Sequence, residues 1–230
     1  MSVSGFSIST QNYLKAIWSL QEWTEAPTTP SLIAQRVGLR LSTVSGALPK
    51  LAEQGLVVHE PYSGVALTEA GRAVAVAMVR RHRLLETFLV QTLGYGWDEV
   101  HEEAEHLEHA VSDLMVERID ALLGRPERDP HGDPIPDAQG RVTSPSAVPL
   151  TDVQPGARVV VERISDADSA LLKHLASRGI TVGTVLEVGE GEPFSGALSV
   201  APAGTAAPAG GEATSLGATA AAQVFVSVRG

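Results

Sequence analysis

The sequence predicts a mainly α-helical protein with two small β regions, and three features of the chain support this fold class. Apolar residues recur at helical spacing through much of the first half of the chain. Two short β-like runs, at residues 56–60 and 65–67, flank a four-residue turn within that half. Several further short strands follow a proline-rich stretch in the last third of the chain.

The N-terminal helices carry start and stop signals. Ser31 and Ser42 stand where the N-caps of two short helices are expected, and Gly38 and Gly55 end those helices. Thr68 caps the long helix that follows the two strands. The predicted helices cover residues 10–23, 32–37, 43–54 and 69–93.

This order of elements, with a two-stranded ribbon after the second capped helix, is that of a winged helix-turn-helix, which binds DNA. Small and hydrogen-bonding side chains at the start of the second capped helix suit a major groove about 12 Å wide. Pro49 is expected to kink that helix, because proline has no N–H to donate. The residues expected to contact DNA are Arg36, Arg40, Ser42, Thr43, Ser45, Gly46 and Lys50, with Arg72 as a further phosphate contact.

The charge of the chain is unevenly distributed. The net charge is −10, but residues 1–80 hold six basic and five acidic residues and so carry +1. Residues 81–150 carry −8 and residues 151–230 carry −3. The first third is therefore compatible with DNA contacts through a few basic groups, whereas the acidic centre alone is not.

The acidic centre contains the most informative motif of the chain, H-E-E-A-E-H-L-E-H at residues 101–109. At about 100° per residue, four metal-capable side chains lie along one edge of a predicted helix, beside an apolar stripe. His82 and Glu86 lie one turn apart on the preceding helix. We expect a cation between these groups, because packed carboxylates repel one another and lose hydration. The four motif residues are His101, Glu105, Glu108 and His109.

The absence of cysteine limits the chemistry that this chain can perform. It excludes disulfides, thiolate zinc sites, iron–sulfur clusters and cysteine nucleophiles. The remaining oxygen and imidazole ligands suit Mn²⁺ or Fe²⁺ by type. Both zinc metalloprotease spacings fail, because position 105 is glutamate where they need histidine. A glycine-rich phosphate loop and a nucleophilic serine elbow are also missing, so we expect no enzyme.

Glycine and proline set the expected domain boundaries. A break at residues 94–96 separates the long helix from a predicted helix at residues 97–123, and six prolines at residues 126–149 predict an extended linker. The strands and short helix beyond suggest a β-barrel-like module, interrupted by a mobile loop at residues 201–222. These strands are predicted at residues 158–164, 185–188, 198–200 and 224–228, and the helix at residues 169–177. The expected domains are residues 1–74, 75–125 and 151–230, with a linker at residues 126–150.

Taken together, these motifs resemble the diphtheria toxin repressor family of metal-activated bacterial repressors, and most closely its manganese-responsive branch. The resemblance implies that residues 1–74 bind DNA, that residues 75–125 form a metal-binding and dimerisation domain, and that the C-terminal module is an SH3-like domain. The similarity is carried by Y-L-K-A-I-W from Tyr13, M-V-R-R-H-R-L-L-E from Met78, V-H-E-E-A-E-H-L-E-H from Val100 and D-P-H-G-D-P-I-P from Asp129.

The resemblance also implies two adjacent metal sites. Glu105, Glu108 and His109 match ligands of the activating site, and Asn12 stands at the position of a fourth ligand on the first helix. Iron-responsive members have cysteine at the position of Glu105, so the resemblance favours manganese. The manganese branch usually has aspartate where Asn12 stands.

The second implied site is built mainly from the long helix and the central motif. Its matching residues are His82, Glu86 and His101. In some relatives the SH3-like domain adds a ligand, for which Asp168 is the nearest candidate and Asp166 is equally placed in the sequence. Leu171 stands where one relative has a ligand.

The function implied by the resemblance is that of a transcriptional repressor activated by Mn²⁺, or alternatively Fe²⁺. Such a repressor controls metal-homeostasis genes and binds a palindromic operator in double-stranded DNA as a homodimer. One alternative is a winged-helix regulator that senses a small organic ligand, and another is a metal-buffering protein without specific DNA binding. The sequence has no apolar run near 18 residues and no basic-then-apolar leader at Met1, so we expect a cytoplasmic protein.

Overall fold

The computed structural model describes residues 3–23, 26–60, 64–143, 145–203 and 213–228. In the described part of the chain, no helix combines the length and the apolar character needed to span a bilayer.

The chain divides into two compact units. The first unit consists of Met1–Leu85, His106–Leu122 and Ile135–Val142, and the second of Glu86–Glu105, Leu123–Pro134 and Thr143–Gly230.

The first unit begins with the predicted winged helix-turn-helix. Helix α2 packs on both α1 and α3, and the strands β1 and β2 pair antiparallel, with Val57 opposite Leu67 and Glu60 opposite Gly64. Helices α4, α5 and α6 follow, of which α4 and α5 continue across the boundary between the units. The bounds are α1 Ile8–Glu22, α2 Pro30–Arg36, α3 Leu41–Glu53, β1 Val57–Glu60, β2 Gly64–Leu67, α4 Glu69–Leu93, α5 Val100–Leu107 and α6 Asp113–Leu122.

The core of the first unit joins the DNA-binding elements to the start of α4. Leu14 and Ile17 of α1 pack in one cluster with Val44 and Leu48 of α3 and Met78 of α4. All five side chains are almost completely buried. Because interiors are densely packed, a displacement of α1 is felt by α3 and α4.

The boundaries of two helices differ from the prediction. Thr29 caps α2, since its hydroxyl accepts a hydrogen bond from the Leu32 N–H at 3.3 Å, whereas Ser31 lies inside the helix. Helix α3 begins one residue before Ser42, with Arg40 at the N-cap position. Helix α3 continues past Pro49 to Glu53. The proline removes only one backbone hydrogen bond, and the neighbouring turns of the helix keep theirs.

The single helix predicted at residues 97–123 is wrong, because the structure has two helices there, α5 and α6. Residues 108–112 are not helical. The Ser112 hydroxyl accepts a hydrogen bond from the Met115 N–H at 3.2 Å and so starts α6 anew. Glu108 and His109, two of the predicted ligands, therefore lie in the turn between α5 and α6.

The second unit is built around a six-stranded antiparallel sheet in the order β3-β8-β4-β5-β6-β7. Its core includes Ile164, Leu172, Leu175, Ile180 and Leu186, all fully buried or nearly so. The prediction of a C-terminal β module is confirmed. The elements are β3 Val148–Pro149, β4 Arg158–Ile164, α7 Ser169–Ser177, β5 Val185–Glu190, β6 Leu198–Pro202, β7 Thr214–Leu216, α8 Ala218–Ala221 and β8 Val224–Val228.

Two segments that were expected to lack structure are partly ordered. Within the predicted linker, Asp129, His131 and Asp133 are buried, because the Asp129 carboxylate accepts hydrogen bonds from the His131 and Asp133 N–H groups, both at 2.9 Å. The predicted loop at residues 201–222 contains β7 and α8, while its residues 204–212 lie outside the described residues.

Candidate metal centres and nucleic-acid interface

Helix α3 has a buried apolar face and an exposed polar face. Val44, Leu48 and Leu51 are buried in the core of the first unit. The opposite face is open, and Gly46 has no heavy atom within 4 Å of the position that a Cβ would take. A helix exposed in this way can enter a major groove and present its side chains to bases and phosphates. All seven residues predicted to contact DNA are exposed, namely Arg36, Arg40, Ser42, Thr43, Ser45, Gly46 and Lys50.

A cluster of charged groups lies in the first unit around Glu108, whose side chain is completely buried. Lys15 Nζ, on α1, lies 2.8 Å from Glu108 Oε1 and 2.7 Å from Glu108 Oε2. His82 Nδ1, on α4, lies 2.7 Å from Glu108 Oε2 and 3.3 Å from Lys15 Nζ. Three elements that are far apart in sequence therefore meet at one buried carboxylate. We call these groups the Glu108 cluster.

The pKa of Glu108 is the result of opposing effects. Burial raises the pKa, but the hydrogen bond from His82 and the charge of Lys15 lower it by more, so the pKa lies below the ordinary value of 4.5. Glu108 is consequently ionised at neutral pH. A buried carboxylate of this kind requires a cationic partner.

The first turns of α1 add two amide side chains. His109 Nδ1 lies 2.8 Å from Gln11 Oε1, and His109 Nε2 lies 3.5 Å from Glu108 Oε1. Gln11 Nε2 donates to the carbonyls of Val3 and Phe6 at 3.0 and 2.9 Å, which orients its oxygen toward His109. Among the described residues, the buried Asn12 Oδ1 has no hydrogen-bond partner. A buried amide oxygen without a donor is costly, and a bound cation would satisfy it.

A second cluster lies in the second unit around Glu86 and His101. His101 Nδ1, on α5, lies 3.2 Å from Glu86 Oε1 and 2.9 Å from Asp166 Oδ2. Its other ring nitrogen, Nε2, lies 3.8 Å from Glu105 Oε1, one helical turn further along α5. We call this group the Glu86 cluster. It again combines carboxylate and imidazole groups, which are common metal ligands.

The pKa of His101 is strongly raised. Burial lowers the pKa, but the hydrogen bonds and charges of Asp166 and Glu86 outweigh it and raise the pKa from 6.5 to about 10. In the absence of a metal, His101 is therefore an imidazolium ion at neutral pH. A metal that binds the same nitrogen must replace that proton.

His131 extends the Glu86 cluster. Its Nε2 donates to the Trp97 carbonyl at 2.6 Å, and the two rings stack with centroids 5.9 Å apart. Because the proton is on Nε2, the neutral ring has a lone pair on Nδ1. That atom lies 3.9 Å from Glu86 Oε2 and has no hydrogen-bond partner among the described residues. Glu86, Asp129 and His131, all buried, each offer a ligand atom within 4.8 Å of the others.

The structure distributes the predicted ligands differently from the sequence prediction in two respects. His82, which the resemblance assigns to the second site, lies against Glu108 of the implied activating site. Asp166, and not Asp168, lies against His101; Asp168 caps α7 by accepting from the Ala170 and Leu171 N–H groups at 2.9 and 3.1 Å. The predicted ligands Asn12, Glu108 and His109 belong to the first unit, whereas Glu86, His101 and Glu105 belong to the second.

Sequence reasoning missed three groups near the two clusters. Asp129 and His131 belong to the D-P-H-G-D-P-I-P motif, which was quoted only for the family resemblance and otherwise interpreted as a linker. The motif places a carboxylate and an imidazole two positions apart, and this pair of possible metal ligands was the available signal. Lys15 had no signal, because an isolated lysine in an amphipathic helix is usually solvated.

Three family models match the chain. The model described as the iron-dependent repressor N-terminal DNA-binding domain matches residues 5–65. The model described as the iron-dependent repressor metal-binding and dimerisation domain matches residues 68–137. The FeoA domain model matches residues 148–228.

Known relatives match most of the chain. The iron-dependent repressor IdeR of Mycobacterium tuberculosis is 32% identical over 206 residues, covering 84% of this chain and 89% of that protein. The diphtheria toxin repressor of Corynebacterium diphtheriae is 33% identical over 190 residues, covering 78% and 84% respectively. A solved manganese-dependent transcriptional repressor in complex with manganese is 50% identical with a TM-score of 0.89, covering 96% of this chain and 100% of that chain. The structure of ScaR with bound Zn²⁺ is 32% identical with a TM-score of 0.78, covering 95% and 98%.

The exposed recognition helix, the buried carboxylate and imidazole clusters and these matches define a metal-dependent transcriptional repressor. The chain belongs to the diphtheria toxin repressor family. The resemblance stated from the sequence motifs is thereby confirmed.

The residues present fit a divalent cation. The donors are carboxylate oxygens, imidazole nitrogens and an amide oxygen, with no thiolate in the chain. Asn12 Oδ1 and His131 Nδ1 are buried polar atoms whose lone pairs have no donor among the described residues. The unpartnered atoms favour a bound cation, and the donor set suits Mn²⁺ or Fe²⁺.

Proposed function

We propose that this repressor is activated by Mn²⁺, with Fe²⁺ as the alternative, and that it controls metal-homeostasis genes. It would bind a palindromic operator in double-stranded DNA as a homodimer, act in the cytoplasm where that DNA lies, and perform no catalysis. The observation that carries the proposal is the buried Glu108 carboxylate, which is contacted by Lys15 of α1 and His82 of α4. This carboxylate lies in the same unit as the recognition helix, so a cation bound to it would act on the unit that binds DNA.

We infer that Asn12, Glu108 and His109 ligate the activating metal, with Glu105 as the further ligand implied by the family resemblance. Glu86, His101, Asp129, His131 and Asp166 would hold a second ion. When bound, a divalent cation supplies two positive charges and directional coordination to groups that otherwise repel one another. The matching solved repressor was obtained in complex with manganese, which supports the choice of Mn²⁺.

The residues of the first unit would transmit binding at Glu108 to the DNA-binding surface. Asn12 and Lys15 lie on α1, and Leu14 and Ile17 of the same helix pack in the core that also contains Val44 of α3. Holding α1 in one position therefore restricts the positions open to α3. In a two-fold dimer, two such helices would read half-sites about 34 Å apart only when both are held at the right angle.

The Glu108→Gln substitution tests this proposal. It keeps the side-chain size and removes the charge that a cation neutralises. We expect Mn²⁺-dependent affinity for DNA to fall tenfold or more, within the usual coupling range of about 1–3 kcal/mol. The operator is first selected from a random duplex pool with wild-type protein and Mn²⁺, and binding is then measured by fluorescence anisotropy at fixed salt.

The matched control is Glu102→Gln, which changes an exposed glutamate of α5 in the same way. Its DNA affinity should equal that of the wild type with Mn²⁺, and both proteins should lose affinity in chelator. If the wild type selects and binds DNA equally well in chelator, metal activation is refuted. If Mn²⁺ binds in calorimetry but no duplex is selected, the chain is a metal-buffering protein instead.

A further inference from the structure

Lys15 faces the buried Glu108 carboxylate in the manner of a bound cation. Its Nζ lies 2.8 and 2.7 Å from the two carboxylate oxygens and 3.3 Å from His82 Nδ1. The Lys15 side chain is 13% exposed, whereas that of Glu108 is 0% exposed. The ammonium group therefore supplies the positive charge that the buried carboxylate requires.

Lys15 Nζ contacts both oxygens of the Glu108 carboxylate, and carboxylate oxygens are also the atoms that bind divalent cations. A first-row divalent ion lies about 2.0–2.2 Å from a carboxylate oxygen. An ion bound to both Glu108 oxygens would thus need the volume that Nζ occupies. Two positive groups so close together would also repel each other strongly in a buried position.

We propose that Lys15 is a built-in competitor of the activating metal: its ammonium group neutralises Glu108 in the metal-free chain and leaves when a divalent cation binds. The inference rests on the proposed function, because it takes Glu108 to be a metal ligand. Lys15 thereby lowers the affinity for metal and sets the metal concentration at which the repressor switches. The flexible four-carbon stem of lysine allows the charged end to withdraw to water while α1 stays in place.

The first test is calorimetric titration of the metal-stripped full-length chain with MnCl₂ in the absence of DNA. Lys15→Met removes the charge and keeps a flexible, unbranched side chain. We expect its Kd for Mn²⁺ to be at least tenfold lower than that of the wild type. Lys15→Arg keeps the charge and should bind Mn²⁺ no more tightly than the wild type. Lys173→Met, which removes an exposed lysine charge in the second unit, is the control and should leave the Kd unchanged.

The second test follows Lys15 in the wild-type protein. The sequence contains three lysines, Lys15, Lys50 and Lys173, so acetylation by an amine-reactive reagent is readily mapped by mass spectrometry. In chelator, Lys15 should react slowly because its ammonium is held by Glu108. Saturating Mn²⁺ should increase the acetylation rate of Lys15 severalfold and leave the rates of Lys50 and Lys173 unchanged.

The outcomes separate this inference from the proposed function. Unchanged or weaker Mn²⁺ binding by a folded Lys15→Met variant overturns the inference, as does a Lys15 acetylation rate that Mn²⁺ does not increase. If the wild type and both Lys15 variants all fail to bind Mn²⁺, the proposed function itself fails. If circular dichroism shows that Lys15→Met does not fold in chelator, the acetylation of the wild-type protein decides.

Discussion

At the scale of single residues, both clusters neutralise their carboxylates with a charge from the chain itself. In the Glu108 cluster the charge is the Lys15 ammonium, and in the Glu86 cluster it is the protonated His101 ring. Both positive groups offset the cost of burying the acids that they contact. At the proposed metal sites, the observed free energy of metal binding would therefore be reduced by the free energy needed to displace the ammonium group or the proton.

The first residue-scale prediction concerns pH and the stability of the metal-free protein. The pKa of His101 is raised in the folded state to about 10 from 6.5. Its contribution to stability is fully present below about pH 6.5 and is lost as the pH rises through about 10, because only the folded state retains the proton in that range. We expect the urea midpoint, measured in chelator, to fall from about pH 6 to pH 9.

His101→Gln provides the comparison for this pH series. The variant has no imidazole to protonate, so its urea midpoint should fall less over the same range. Equal slopes for the wild type and the variant would contradict the assignment of an imidazolium at His101.

At the scale of elements, α3 shows how a helix can contain a proline, a residue that disfavours helical structure. Pro49 lies at the ninth of 13 positions in α3 and is exposed, yet the helix continues to Glu53. Its buried side chains Val44, Leu48 and Leu51 pack against the core on both sides of the proline. Tertiary packing thus supplies the free energy that the missing hydrogen bond does not.

We therefore predict that Pro49→Ala stabilises the protein. Proline in a helix interior is about 3 kcal/mol less favourable than alanine, although its restriction of the unfolded chain recovers up to about 1 kcal/mol. The expected gain is about 2–3 kcal/mol in urea unfolding followed by circular dichroism. Gly46→Ala, at an open position of the same helix, should give about 1 kcal/mol or less. No gain from Pro49→Ala would mean that α3 is already relaxed around the proline.

At the scale of the whole molecule, each unit has a core of its own and a cluster of carboxylate and imidazole groups of its own. The D-P-H-G-D-P-I-P motif shows how irregular backbone is held in the second unit. Gly132 has a φ of +90° and lies so close to β4 that a Cβ would stand 2.1 Å from the Glu162 carbonyl oxygen. The Ile164 N–H also donates to the His131 carbonyl at 2.9 Å. Both contacts fix His131 of the Glu86 cluster against the sheet.

Gly132→Ala should accordingly be strongly destabilising. Gly156 has nearly the same φ, +91°, but nothing lies within 4 Å of its Cβ position. Gly156→Ala therefore measures the backbone strain alone, about 1–2 kcal/mol, and Gly132→Ala should cost at least twice as much in urea unfolding. Equal costs for the two variants would show that the motif can move away from β4 freely.

Much of the fold was predictable from the sequence because its signals are local. The helix and strand order of the winged helix-turn-helix follows from periodicity, caps and glycines within a few residues of each element. The break between α5 and α6 was missed because the apolar pattern continues through it, while the Ser112 cap is a weaker signal. The packed motif at Asp129 was missed because its prolines are equally typical of linkers.

The sequence by itself determined the kinds of ligand, the exposed face of the recognition helix and the membership of the family. These properties depend on residue identity and on neighbours within one or two turns. The tertiary structure alone decided that Asp166 and not Asp168 lies against His101, and that Lys15 and His82 meet at Glu108. Lys15 and Glu108 are 93 positions apart, and such a pairing is fixed by how helices pack and not by any local pattern.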